Sequence, residues 1–272
     1  MTSTTLTRES GTSSTQAPNT LGWWLSDVWE MTLRNVRHVL RSPDLVMFSL
    51  VQPVMFILLF TYVFGGAIEV GGDRYIQFLL PGILVQMALY GSAAGTTIGV
   101  AAEMREGLMD RFRSMPMSRS AVLIGRTMSE IFRNVGVAAV TVGIGVLVGF
   151  RFHNGLLPVL AGLLLLLLFG YAVTWFAAYL GLSVRNAEAA QAVGGVWIFP
   201  FTLISSAFVP TESMPGWLQA YAAHSPMTAA VNALRALLSG GPATSYVLQT
   251  VAWSVALIVV FAPLAVRKYG SR

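Results

Sequence analysis

Long runs of apolar residues alternate with short charged segments along this chain. Six runs approach or exceed the length of about 20 residues that a membrane helix needs, at 46–64, 76–101, 131–150, 156–184, 192–209 and 247–266. The apolar parts of these runs contain no Asp, Glu, Lys, Arg or His, and we expect Glu130 and Arg133 near the cytoplasmic interface, where the third run begins. The pattern predicts an all-α integral membrane protein with six transmembrane helices.

The first 45 residues follow a different pattern from the rest. Residues 1–20 are rich in Ser and Thr, which predicts a disordered cytoplasmic tail before a single transmembrane domain over 21–272. In residues 21–45, Trp24, Val28, Met31 and Val39 recur at helical spacing among arginines. This predicts an amphipathic helix on the inner leaflet, with a flank that only fixes topology as the alternative.

The segment 209–242 is helix-like in two pieces that are broken at Ser225 and Pro226. If it were a seventh span, the basic residues at 267, 268 and 272 would lie outside the cell. It would also bury Arg235, and an arginine at the centre of a membrane helix costs about 2.5–3.5 kcal/mol. We therefore predict two short external helices between the fifth and sixth spans, which cap the outer leaflet or dip into it.

Basic residues are distributed unevenly between the two predicted sides. With six spans and the N-terminus inside, fourteen of the seventeen Lys and Arg residues are cytoplasmic, and only Arg74, Arg151 and Arg235 are external. Because basic residues accumulate on the cytoplasmic side, both termini are predicted to be cytoplasmic. We expect a multi-pass protein of the plasma membrane, of bacterial origin.

Composition narrows the function further. Hydrophobic residues make up 55% and charged residues 11% of the chain, against roughly 25% charged in soluble domains. Cysteine is absent, the three histidines lie on different segments, and the single lysine, Lys268, follows the last run, so no phosphate-binding loop is present. The sequence predicts that the chain is not an enzyme, binds no cofactor or metal itself and has no nucleic-acid partner. Membrane lipid is expected to surround its apolar helices.

One cytoplasmic segment is much more charged than its neighbours. In "EMREGLMDRFRSMPMSRSAVLIGR", residues 103–126, the side chains Met104, Leu108, Phe112 and Met115 fall within a narrow arc of a helix. Charges of both signs surround this apolar stripe, and Pro116 ends the helix. The stripe fits a groove on a partner protein or the protein's own inner surface; periodicity leaves both open.

This segment resembles the loop between the second and third spans of type-2 ATP-binding-cassette exporter permeases, especially the daunorubicin-resistance type. The stretch "SSAFVPTESMPGWLQAYAAHSPMTAAVNALRALLSGG" is similar to the segment after that family's fifth span. One departure is Ser225, where the family often has Asn before the proline.

The resemblance implies a permease dimer, formed with itself or with a paralogous permease, and two cytoplasmic ATP-binding subunits that hold ATP and Mg²⁺. It also implies that the charged helix is a coupling helix inserted into the ATP-binding subunit. Its expected residues are Met104, Arg105, Glu106, Gly107, Leu108, Asp110, Arg111, Phe112, Arg113, Met115 and Pro116. The exported compound would be a hydrophobic or amphipathic drug, antibiotic or lipid-like molecule.

Aromatic and small residues of the second and fifth predicted spans are candidates for the translocation path, with helix packing or lipid contact as the alternative. They are Tyr90, Gly95, Trp197, Phe199, Phe201 and Phe208. Gly194, Gly195 and Pro200 should loosen the fifth helix and are candidates for a hinge. Two other functions remain open: an ion-coupled carrier that works alone, and a non-transporting membrane anchor for a cytoplasmic partner.

Overall fold

A computed structural model describes residues 43–66, 74–105, 119–184, 187–196 and 198–271. The regular elements in these ranges are helical, which confirms the all-α fold class. They are α1 (Pro43–Leu59), a π-helical turn (Phe60–Phe64), α2 (Tyr75–Tyr90), a second π-helical turn (Gly91–Gly95), α3 (Thr96–Arg105), α4 (Arg119–Val148), α5 (Leu156–Gly181), α6 (Ala187–Val196), α7 (Ile198–Leu203), a 3₁₀ turn (Thr211–Ser213), α8 (Gly216–His224), α9 (Pro226–Ser239) and α10 (Thr244–Ser271).

Four helices of the described part are long and apolar enough to cross a membrane. They cover Tyr75–Ala102, Thr127–Val148, Leu156–Gly181 and Thr244–Tyr269, within a few residues of four of the predicted runs. The apolar stretch Val51–Phe64 in the first run is shorter, and the fifth run is described as two short helices, α6 and α7. The predicted tail at 1–20 lies outside the described residues, as does the predicted amphipathic helix, which was expected to end at Ser42 and Pro43; Pro43 is the first residue of α1.

The third predicted run begins earlier in the structure than in the sequence analysis. Helix α4 extends back to Arg119, and its candidate span Thr127–Val148 includes Glu130 and Arg133. The two ionisable side chains lie in the first two turns of this candidate span, where the sequence analysis placed them, at the beginning of the third run.

Helix α2 forms the centre of the fold. Apart from Phe78, its residues from Tyr75 to Leu89 are all buried, as expected for a helix that is apolar on every side. It packs against α4, α5 and α9, and a Cβ atom at Gly82 would collide with the carbonyl oxygen of Ala207. The backbone after α7 therefore approaches α2 as closely as a glycine allows.

Helices α8 and α9 form a hairpin whose tip lies level with the middle of α5. Leu234 of α9 packs on Gly162 of α5. Met227, seven residues earlier on α9, and Phe169, seven residues later on α5, line the same cavity, so the two helices run antiparallel. Phe169 is 13 residues from the first residue of α5 and 12 from the last. The break at Ser225 and Pro226 is thus about 20 Å from either end of α5 at 1.5 Å per residue.

Candidate functional site

A π-helical turn interrupts the long helix that α2 and α3 form together. The turn has the sequence GSAAG, from Gly91 to Gly95, and lies between two regular helical segments. Such turns are rare and occur often at functional sites. A Cβ atom at Gly91 would be 2.6 Å from Nη2 of Arg133, and one at Gly95 would be 3.5 Å from it, so the small residues leave room for this side chain.

Arg133 forms an ion pair with Glu130 one helical turn earlier on α4. Its Nε donates to Oε2 of Glu130 at 2.7 Å, and the two side chains are 21% and 11% exposed. An unpaired charge within a membrane helix is costly. The pair lowers this cost because the two opposite charges satisfy one another beside the π turn.

A buried hydrogen bond directly after Arg133 joins α4 to the π turn. Nδ2 of Asn134 donates to Oγ of Ser92 in the π turn at 2.9 Å. Gly170 of α5 lies beside this bond, because a Cβ atom there would be 2.9 Å from Nδ2 of Asn134. Gly170 is 11 residues from Gly181, or about 16 Å along the helix. We call the ion pair, Asn134 and Ser92 the polar cluster; it lies near the middle of α5.

The candidate path residues lie in different surroundings. Tyr90 is 41% exposed and directly precedes the π turn, in which Gly95 is the last residue. Phe208 is buried and stacks on Phe60, with ring centroids 4.6 Å apart. The ring of Phe201 meets that of Tyr221 on α8 edge to face, at 6.4 Å. Trp197 and the side chain of Phe199 lie outside the described residues.

The candidate hinge lies where two short helices follow one another. Gly194 and Gly195 are near the end of α6, and a Cβ atom at Gly195 would meet nothing within 4 Å. Pro200 lies within α7, and its carbonyl accepts the N–H of Ile204 at 2.9 Å. Room at Gly195 is compatible with a bend at this position.

The predicted coupling helix lies almost entirely outside the described residues. Helix α3 ends at Arg105, so Met104 and Arg105 belong to its last turn, and 106–118 are not described. Helix α3 nevertheless connects this segment to the π turn through ten residues of regular helix.

Sequence reasoning missed a second polar network, around Arg235 of α9. Its guanidinium donates to the carbonyl oxygens of Phe78 and Ser206 at 3.1 and 2.9 Å and to Oδ1 of Asn232 at 2.8 Å. It also lies 3.7 Å from the centre of the Phe78 ring. Burial lowers the pKa of Arg235 to about 10, so it stays charged at neutral pH. The only signal in the sequence is the spacing of three residues between Asn232 and Arg235.

Comparisons with known proteins agree on one family. The family profile described as "ABC-2 type transporter" matches residues 26–238. The daunorubicin resistance ABC transporter permease protein DrrB1 of Streptomyces coeruleorubidus is 34% identical over 249 residues, which cover 91% of this chain and 86% of that protein. The probable doxorubicin resistance ABC transporter permease protein DrrC of Mycobacterium tuberculosis (strain H37Rv) is 32% identical over 224 residues, with 80% and 79% covered.

Proposed function

We propose that this chain, which belongs to the ABC-2 type transporter family, is the transmembrane subunit of an ATP-driven exporter. The observation that carries the proposal is the family match together with relatives that are named as permeases of drug resistance. The ATPase would be a separate protein that supplies the ATP and Mg²⁺ sites. The exported compound would be a hydrophobic or amphipathic drug, antibiotic or lipid-like molecule.

In the proposed topology, six helices cross the plasma membrane and both termini are cytoplasmic. The four long apolar helices support this arrangement, and α1 and the α6–α7 pair would supply the other two spans. The ratio of fourteen cytoplasmic to three external basic residues supports the orientation. The hairpin of α8 and α9 would then enter the outer leaflet without crossing the membrane.

In the proposed mechanism, residues 104–116 form the coupling helix. The stripe of Met104, Leu108, Phe112 and Met115 would insert into a groove of the ATP-binding subunit, and the surrounding charges would fix its register. A displacement of this helix would pass along α3 to the π turn, where the polar cluster holds α4 against it.

Two such chains, identical or paralogous, would enclose the translocation path, and two ATP-binding subunits would bind them on the cytoplasmic side. Tyr90 and Gly95 at the π turn, with Trp197, Phe199, Phe201 and Phe208 of the fifth span, are the proposed lining. Gly194, Gly195 and Pro200 would let that span bend between inward-open and outward-open states.

The test purifies the chain together with an ATP-binding subunit from the same genome, which we expect at a ratio of about one to one. Inverted vesicles with both proteins should accumulate daunorubicin only when ATP is present. Arg111→Glu with Arg113→Glu should leave insertion intact but abolish stimulated ATPase activity and uptake, because it reverses the registering charges. Arg267→Glu with Arg272→Glu makes the same change in net charge elsewhere on the proposed cytoplasmic side and serves as the matched control.

The alternatives make different predictions in the same assay. Full uptake by the Arg111 and Arg113 variant would refute the coupling assignment. Uptake by the chain alone in an ion gradient, without ATP, would indicate an ion-coupled carrier. Partner binding without any uptake would indicate a membrane anchor.

A further inference from the structure

Two arginines lie at one end of the helix bundle, where three apolar helices begin or end. Arg74 directly precedes α2, and Arg151 lies in the connection between α4 and α5. The candidate spans Tyr75–Ala102, Thr127–Val148 and Leu156–Gly181 each have an end within five residues of one of these arginines. The two side chains therefore lie at the membrane interface, where the phosphates of phospholipids are found.

The last turn of α4 brings the two guanidinium groups to the same place. A Cβ atom at Gly149 would be 3.2 Å from Nη1 of Arg74. Nη1 of Arg151 lies 3.5 Å from the carbonyl oxygen of Val146, which also accepts the N–H of Gly149 at 3.2 Å. Both guanidinium groups are thus beside the end of α4.

A buried glutamine of α2 fixes the backbone of both arginines. Gln77 is 8% exposed, and its N–H donates to the carbonyl oxygen of Arg74 at 2.9 Å. With its side-chain amide oriented so that both atoms find partners, its nitrogen donates to the carbonyl oxygen of Arg151 at 3.1 Å and its oxygen accepts the N–H of Arg151 at 2.8 Å. The fold therefore sets the spacing between the two arginines.

Most donor groups of the two side chains remain available to a ligand. Arg74 makes no hydrogen bond or ion pair within the part of the chain that the structure describes, and both arginines are exposed. The bonds from Nη1 of Arg151 to the carbonyl oxygens of Val146 and Phe150 are long, at 3.5 and 3.4 Å. The helix dipole attracts cations to the end of α4, but each guanidinium has five N–H donors, so this attraction leaves donors for an anion.

The surroundings decide which anion fits. Leu147 in the last turn of α4 is 87% exposed, and Leu156 and Leu157 at the start of α5 are 74% and 80% exposed. Leucines this exposed at the ends of membrane helices contact lipid, so a phosphate beside them belongs to a lipid. A lipid with a net negative charge fits best, because a choline or ethanolamine group would bring a positive charge close to two arginines.

We propose that Arg74 and Arg151 bind the phosphate of an anionic phospholipid. In the proposed topology the lipid lies in the outer leaflet, and these are two of only three external basic residues among seventeen. Because basic residues accumulate on the cytoplasmic side, membrane topology does not explain a pair of them here. The site requires that the chain spans a membrane, but it does not depend on the proposed export function.

The test uses the full chain in lipid nanodiscs with a fluorescent label at Leu147→Cys, which is specific because the chain has no other cysteine. Phosphatidylglycerol and phosphatidylcholine each carry a nitroxide quencher near the headgroup end of one acyl chain. Comparison of the two quenching curves gives the preference for the anionic lipid beside Leu147. We expect a preference of about tenfold, the effect of two arginines at a membrane surface.

Variants test whether the two arginines cause this preference. Arg74→Gln with Arg151→Gln should reduce it to less than about twofold, and each single variant to about threefold. Arg74→Lys with Arg151→Lys keeps both charges and should retain most of it. Arg267→Gln with Arg272→Gln makes the same change in net charge at the other end of the membrane helices and should leave the preference unchanged.

Several results would overturn the site. One is an unchanged preference in the double Gln variant at 74 and 151, and another is an equal loss in the control at 267 and 272, which would show an effect of net charge alone. No preference in the parent would show that Glu69 and Asp73, the acidic residues before Arg74, neutralise the pair. If inorganic phosphate in place of chloride at equal ionic strength removes the preference, the site takes free phosphate rather than lipid. Because no ATPase is present, none of these results bears on the proposed exporter.

Discussion

The ion pair between Glu130 and Arg133 gives the sharpest test of how the helix bundle is held together. Removing one partner of a buried pair costs about 3–5 kcal/mol, whereas replacing both is often neutral. The side chain of Arg133 keeps 21% of its surface exposed, so we expect a smaller loss than for a fully buried pair, about 2–3 kcal/mol, for Arg133→Met. In a chain of this size such a loss lowers the melting temperature by about 4–10 °C.

The two single variants should differ from the double variant in a specific way. Arg133→Met leaves the carboxylate of Glu130 unpaired beside the π turn, and Glu130→Gln leaves the guanidinium without its counter-charge. Glu130→Gln combined with Arg133→Met leaves no charge to bury. The double variant should therefore recover most of the loss seen in Arg133→Met.

The measurement is the apparent melting temperature of all variants in the same lipid nanodiscs. Phe132 lies between the two paired residues in the sequence and is 50% exposed. Phe132→Met serves as the control, and its stability should stay within about 0.5 kcal/mol of the parent protein. If the loss in the double variant equals the sum of the two single losses, the side chains do not stabilise each other and the reasoning fails.

Two further predictions concern the packing around α2. Arg235→Met should lower the melting temperature by about 4–10 °C, because the carbonyl of Phe78 loses its donor and the lost charged hydrogen bonds are worth about 2–3 kcal/mol. An unchanged melting temperature would show that this network does not stabilise the protein. Gly82→Val should prevent stable folding, because its side chain would collide with the backbone of Ala207. A Cβ atom at Gly143 would meet nothing within 4 Å, so Gly143→Ala should instead raise stability by up to about 1 kcal/mol through helix propensity. If both glycine variants changed stability in the same direction, this account would be contradicted.

The apolar runs could be read from the sequence because each reports on local structure. A run of about 20 apolar residues in a bilayer has to form a helix, since its backbone groups find no other partners. For this reason the candidate span Tyr75–Ala102 and helix α10 agree with the predicted runs within a few residues. The start of α4 could not be read this way, because the cost of Glu130 and Arg133 depends on whether they pair.

The contacts that build the polar networks could not be predicted from the sequence. Asn134 and Ser92 are 42 residues apart, and Arg235 and Phe78 are 157 residues apart. Nothing in a single sequence says which distant segments meet. The π turn is hidden for a related reason, because GSAAG reads only as a stretch of small residues in a helix. The coupling helix at 104–116, the path and the hinge stay predictions.

Glycines and polar side chains occur together in this bundle for one physical reason. Lipid tails are as apolar as leucine, so helices in a bilayer associate through close packing and hydrogen bonds. Gly91, Gly95 and Gly170 leave the space into which Arg133 and Asn134 fit. A larger residue at Gly91 or Gly170 would push a charged or polar group away from its partner, where the bilayer offers no replacement. The π turn is therefore tied to α4 by a specific polar contact, the bond from Asn134 to Ser92, in addition to apolar packing.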